Sequence, residues 1–190
     1  MSVLQPCEGP LCYTETTQIQ AYLDLPSTRA LLGVDPSIGN FSSCSSTVGY
    51  AFQSRLDKWA HPTQHYVSNL LDRGIRVLIY AGTYDWQCNW VANRLWVEKL
   101  QWAGQTGFGG SHSGNQSRGW EVDGKTVGEV KERDGLTFAT ILGAGHMMSG
   151  LFEVHLYLRT DNFFDRFYVP HDKPAEALAM VSRWLAGQEL

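Results

Sequence analysis

Two residues stand where a parallel sheet would present chemistry. Asp85 follows the apolar run IRVLIYAG (residues 75–82) by a tight turn, and His146 follows a second apolar run, LTFATILGAG. Functional groups of open α/β sheets gather at the carboxyl ends of their strands. A carboxylate that orients an imidazole from a neighbouring strand end is the acid–base half of a nucleophilic triad. It holds the ring in one tautomer and stabilises the imidazolium, while the far ring nitrogen takes the nucleophile's proton. The plainer reading is that Asp85 caps the helix opening at WQCNWV and His146 is a surface turn histidine.

The remaining chemistry-bearing residues are less organised. His61, His65, His112, His155 and His171 show no ligand spacing, and there is no C-x-x-C pair. His61 and His65 are four apart and could share a helix face, but no acidic partner accompanies them, so no metal is expected there. A G-x-S-x-G nucleophile elbow is missing. GGSHSG at 109–114 comes nearest, yet no strand precedes it and no helix follows it. A cysteine hydrolase using Cys88 with His146 fits poorly, because Cys88 opens a helix on the acid's side instead of sitting at an elbow.

The elements that must position Asp85 and His146 can be read from periodicity and breakers. TTQIQAYLDLPSTRALLGV predicts two short helices, the second started by Pro26 and ended by Gly33, and residues 34–49 read as loop. PTQHYVSNLLDRG predicts an amphipathic helix with Tyr66, Val67, Leu70 and Leu71 inward and Gly74 as its stop. Residues 75–82 predict a strand buried on both faces. NWVANRLWVEKLQW predicts a helix with Trp90, Leu95, Trp96 and Leu100 inward, and the glycine- and serine-rich stretch 103–119 a surface loop. Short strands joined at Asp123–Gly124 and Asp134–Gly135 follow, then the strand before His146. A closing helix spans 173–187, with Pro174 in its first turn and Ala177, Met180, Val181, Trp184 and Leu185 toward the sheet. This order is the tail of an α/β sheet protein.

Bulk properties exclude several classes. A formal charge of −4 with mixed signs and no basic stripe offers nothing to nucleic acid. There is no apolar run of about 18 residues to span a membrane. MSVLQPCEGPLC does not read as a signal peptide. Asn40 (NFS) and Asn115 (NQS) are glycan acceptors if the chain enters the secretory pathway, though such triplets also arise by chance.

The acid-then-histidine order fits an α/β-hydrolase, and the flanking residues make the resemblance specific. IRVLIYAGTYDWQCNWVANRLWVEKLQW, VDGKTVGEVKERDGLTFATILGAGHM, CSSTV and CEGPLCY resemble the C-terminal part of serine carboxypeptidases, from about residue 7 to residue 187. The resemblance implies an α/β-hydrolase fold with an incomplete central sheet, residues 1–190 being one partial domain. It implies Asp85 as triad acid, His146 as triad base, Cys88 as a free thiol lining the substrate pocket and Met147 as the methionine beside the leaving group. It pairs Cys7 with Cys12 in a local disulfide and gives Cys44 a partner upstream of this chain. Peptide or protein C-termini are the implied substrates, no cofactor or metal is implied, the missing N-terminal half of the enzyme is an implied partner, and vacuole, lysosome or cell exterior is the implied compartment.

The sequence departs from the family's pattern in three places. The serine elbow is not in these 190 residues, so the chain alone is expected to lack peptidase activity. A non-catalytic peptide- or protein-binding remnant is the alternative. Residues 148–168 interrupt a pattern that otherwise runs from GAGHM directly to VPHDKP, as an unspliced intron or a genuine loop would. Placed directly behind His146, this segment is expected to disturb the imidazole. Thr83 stands where the family usually has an acidic residue, which alters the hydrogen bonding around the acid turn.

Overall fold

The computed structural model describes residues 15–60, 62–109, 116–146, 148–154 and 167–190. The chain forms two compact units, one from residues 5–63 and one built on residues 64–190. In the first, helices α1 (Glu15–Leu23) and α2 (Pro26–Leu31) precede a loop that α3 (Ser46–Ser54) and α4 (Asp57–Ala60) follow. Two charged side chains organise that loop. Asp24 Oδ1 accepts from Phe41 N at 2.7 Å, and Arg29 donates to the carbonyls of Ile38 and Gly39 at 2.5 and 3.1 Å. Helix α3 opens inside the stretch expected to be loop, because Ser45 caps it through its hydroxyl and Val48 N.

The second unit contains α5 (Gln64–Asp72), β1 (Val77–Gly82), α6 (Trp90–Glu98), α7 (Gln105–Gly109), β2 (Arg118–Val122), β3 (Lys125–Arg133), β4 (Leu136–Ile141), β5 (Met148–Val154), β6 (Phe167–His171) and α8 (Pro174–Ala186). Strands β1 to β4 form one open mixed sheet in the order β1-β4-β3-β2, and β5 pairs with β6 separately. Both Asp-Gly dipeptides make two-residue hairpin turns. Asp123 and Gly124 have φ of 50° and 73°, Asp134 and Gly135 46° and 89°. Positive φ at both central positions matches the turn to the twist of its strands, and Asp-Gly tolerates it best.

Strand β4 is buried along its whole length because both faces are covered. Leu136 and Phe138 pack with Leu71, Val97, Leu100 and Phe108 from the α5, α6 and α7 side. Ala139 and Ile141 point the other way, to Trp120, Val130, Ala177 and Met180. This is the expected α/β arrangement around a small open sheet. Trp120, 1% exposed, is the largest fully buried side chain among the described residues, and its indole N–H donates to Thr140 O at 2.9 Å.

Several expected faces are corrected. Among the described strands β1 has a neighbour on one side only, and Val77, Leu78 and Ile79 are only half-buried while Tyr80 is exposed. Tyr66, Leu70, Leu95, Val181 and Leu185 are exposed, whereas Val97, not singled out from the sequence, is buried. The glycine-rich stretch holds the short helix α7, which drives Phe108 into the core at 1% exposure.

Glu98 lies between Arg94 and Lys131, with Oε1 accepting from both at 3.0 and 3.4 Å. Burial alone would raise its carboxyl; the Arg94 hydrogen bond and the Lys131 charge outweigh this and hold it below its ordinary 4.5. A depressed folded-state value means the stabilisation is full above about 4.5 and lost as pH falls through the folded value. The stability difference between wild type and Glu98→Gln, followed by urea unfolding across pH 2–7, is expected to shrink over that acid limb.

Candidate active site

Strands β1 and β4 run parallel, with Gly82 opposite Ile141, so their carboxyl ends emerge side by side. Asp85 lies three positions beyond the first strand and His146 five beyond the second. The two turns are knitted together by backbone bonds. Thr83 N donates to Ile141 O at 3.0 Å and Tyr84 N to Ala144 O at 2.9 Å. Gly82 must be glycine, because a Cβ there would run into the Ala144 carbonyl and stand 2.7 Å from Gly145 O. Gly82→Ala is expected to push the histidine turn away from the acid turn and to destabilise by about 1–3 kcal/mol. Urea unfolding together with the His146 imidazole NMR signal checks both effects.

The approach of the turns brings the acid and the imidazole into contact. Asp85 Oδ2 lies 2.9 Å from His146 Nδ1. Its other oxygen, Oδ1, accepts the backbone N–H groups of Gln87 at 2.8 Å and Cys88 at 2.9 Å. The carboxylate is therefore held at both oxygens, and it is buried at 7% exposure. An ionised carboxylate can only accept, so Nδ1 carries the proton of the shared bond. In the neutral ring Nε2 is then the acceptor, on a side chain 36% exposed against 6% for its partner's. A buried anchor and an accessible imidazole suit a base that must receive a proton from outside.

The helix-cap alternative for Asp85 is half right. Asp85 does satisfy the turn's amides, but α6 is capped by Asn89, whose side chain accepts from Ala92 N at 2.9 Å. Cys88 is exposed and has a free thiol. The ligating atoms of Asp85, Cys88 and His146 lie within 4.8 Å of one another, so the three could hold a thiophilic ion. Against that use, both Asp85 oxygens are already engaged in hydrogen bonds.

A match over residues 2–154 to the family model described as serine carboxypeptidase decides the kinship. The chain belongs to the serine carboxypeptidase family. Among relatives, Carboxypeptidase Y of Candida albicans is 35% identical over 95% of this chain and 28% of its own length. A serine carboxypeptidase-like protein of Oryza sativa subsp. japonica is 35% identical over 97% of this chain and 36% of its own. The chain thus spans about a third of the length of such serine carboxypeptidases. The crystal structure of a prohormone-processing carboxypeptidase from Saccharomyces cerevisiae shares the fold, with TM-score 0.57 and 22% identity, covering 71% of this chain and 29% of that one. No described helix is long and apolar enough to cross a membrane.

The structure brings Asp85, Cys88 and His146 together. Asn40 lies exposed in the other unit, and Cys44 is exposed with a free thiol. Met147, Cys7, Cys12 and Asn115 lie outside the described residues. The expected disturbance of the imidazole is not seen, since His146 meets Asp85 despite the segment that follows it. Two residues that hold the site were missed in function. Thr83 Oγ1 accepts from Gly143 N at 2.9 Å, and Asp172 Oδ2 accepts from Gly145 N at 2.6 Å. Both stood in recognised motifs, Thr83 two places before the acid and Asp172 in VPHDKP, but spacing alone assigns neither a partner.

Proposed function

We propose that this chain supplies the acid and base of a serine carboxypeptidase whose nucleophile lies outside these 190 residues. The reading is carried by the 2.9 Å contact between Asp85 Oδ2 and His146 Nδ1. In the assembled enzyme, His146 Nε2 takes the proton of a serine hydroxyl as the oxygen attacks the last peptide carbonyl of a substrate. It then gives that proton to the departing amino acid, leaving an acyl-enzyme. Water, activated by the same nitrogen, releases the shortened peptide. Asp85 keeps Nδ1 protonated throughout and offsets the imidazolium charge. Cys88, whose thiol lies beside the pair, and Met147, next in sequence to the base, line the substrate pocket in this proposal.

Residues 1–190 are proposed as one partial α/β-hydrolase domain with an insertion at 148–168, and Cys7 with Cys12 as a local disulfide. The family supports a vacuolar, lysosomal or secreted setting, in which Asn40 and Asn115 are glycan acceptors. Release of the C-terminal residue from an N-blocked dipeptide tests the function. The 190-residue chain alone is expected to release none. The chain replacing the matching 28% of Candida albicans Carboxypeptidase Y is expected to release it, and to stop when His146 becomes Gln. Turnover by the chain alone, or by the His146→Gln chimera, would contradict the proposal.

A further inference from the structure

The three residues before His146 are Gly143, Ala144 and Gly145, so no side chain longer than a methyl group is available to lock the turn that carries the imidazole. Gly143 also has φ of 76°. Such a turn must be held by its backbone, and each residue is tied once from outside. Gly143 N donates to Thr83 Oγ1 at 2.9 Å, Ala144 O accepts from Tyr84 N at 2.9 Å, and Gly145 N donates to Asp172 Oδ2 at 2.6 Å. The first two ties come from the acid turn. The third comes from the start of α8, where the chain returns from the β5–β6 excursion.

We infer that Asp172 is a positioning residue for His146: its carboxylate ties the point where the chain leaves the sheet to the point where it returns. The inference rests on the proposed acid–base role of the Asp85–His146 pair. The bond is short, and a carboxylate acceptor is the stronger kind for an amide. Gly145 immediately precedes His146, so a tie on its N–H limits how far the turn that carries the imidazole can move away from Asp85. Closing the excursion at its base also explains how residues 148–168 can follow the histidine while His146 stays on Asp85. Thr83 has a matching task from the other side, where its hydroxyl receives the amide two positions earlier.

The test is the hydrogen-exchange rate of the His146 Nδ1–H, read by nitrogen-edited NMR of the 190-residue chain and assigned by its loss in His146→Gln. The Trp120 indole N–H, bonded to Thr140 O in the core, reports the fold in the same spectrum. Asp172→Ala is expected to speed exchange at His146 about tenfold or more, as loss of one charge-assisted hydrogen bond would, with the Trp120 signal unmoved. Asp172→Asn, which keeps an oxygen acceptor, is expected to restore most of the protection. Unchanged exchange at His146 in Asp172→Ala would overturn the inference. If the alanine variant also loses the Trp120 signal, Asp172→Asn decides. Wild-type protection in a folded Asn variant supports the clamp, and fast exchange there, or loss of its fold, refutes it as stated. Absence of a protected Nδ1–H in the wild type, or its survival in Asp85→Asn, would refute the acid–base pair instead, so the two failures are distinct.

Discussion

Replacing Asp85 with Asn is expected to lower kcat of the assembled enzyme by about 10⁴-fold while leaving KM nearly unchanged. The geometry dictates how. Oδ1 of Asp85 receives two backbone N–H groups, from Gln87 and Cys88. An amide side chain must turn its oxygen to those donors, which leaves its NH₂ facing His146 Nδ1. That nitrogen can then only accept, so the neutral ring carries its proton on Nε2 and cannot take one from serine. The substitution changes shape and volume little, so substrate binding is expected to be kept. Initial rates on an N-blocked dipeptide, with kcat and KM resolved, check this. A loss below tenfold would show that Asp85 does not orient a catalytic base.

The largest effect on stability is expected at Trp120. Its ring is 1% exposed and packs with Val130, Ala139 and Ile141, and its N–H meets Thr140 O. Gly128 has no side chain for the same reason, since a Cβ there would collide with the Thr140 carbonyl and the indole nitrogen. Trp120→Ala removes the ring from a close-packed layer and strands a buried carbonyl. The expected cost is about 3–5 kcal/mol, and the lost hydrogen bond makes the upper end the better expectation. Urea unfolding of the second unit's core, followed by far-UV circular dichroism, measures it. A cost within 1 kcal/mol would mean that β2 and β3 are not anchored through this residue.

Features whose cause is local were legible in the sequence. The two Asp-Gly turns need positive φ at both positions, and few dipeptides tolerate that, so their places and partners followed at once. The site was legible because a carboxylate and an imidazole each sit just beyond an apolar strand, and the sheet register then brings them together. What failed depends on neighbours. Leu95 and Tyr66 have the period of an inward face, but only a covering layer makes a face inward, and they remain exposed. Strand β1 reads as doubly covered, yet among the described strands it has a partner on one side only. Phe108 is one aromatic in a glycine-rich stretch, and its burial depends on β4, which follows more than two dozen residues later. Asp172 is 27 positions from the amide it holds, a separation at which no periodicity carries information.

The central claim is that Asp85 and His146 serve a serine that this chain does not contain. Fluorophosphonate labelling of the assembled enzyme, followed by peptide mapping, tests it most directly. A covalent adduct is predicted on a serine outside the 190 residues, formed rapidly with wild-type His146 and lost with His146→Gln. An adduct on any residue between Met1 and Leu190, or labelling that survives without the imidazole, would contradict it.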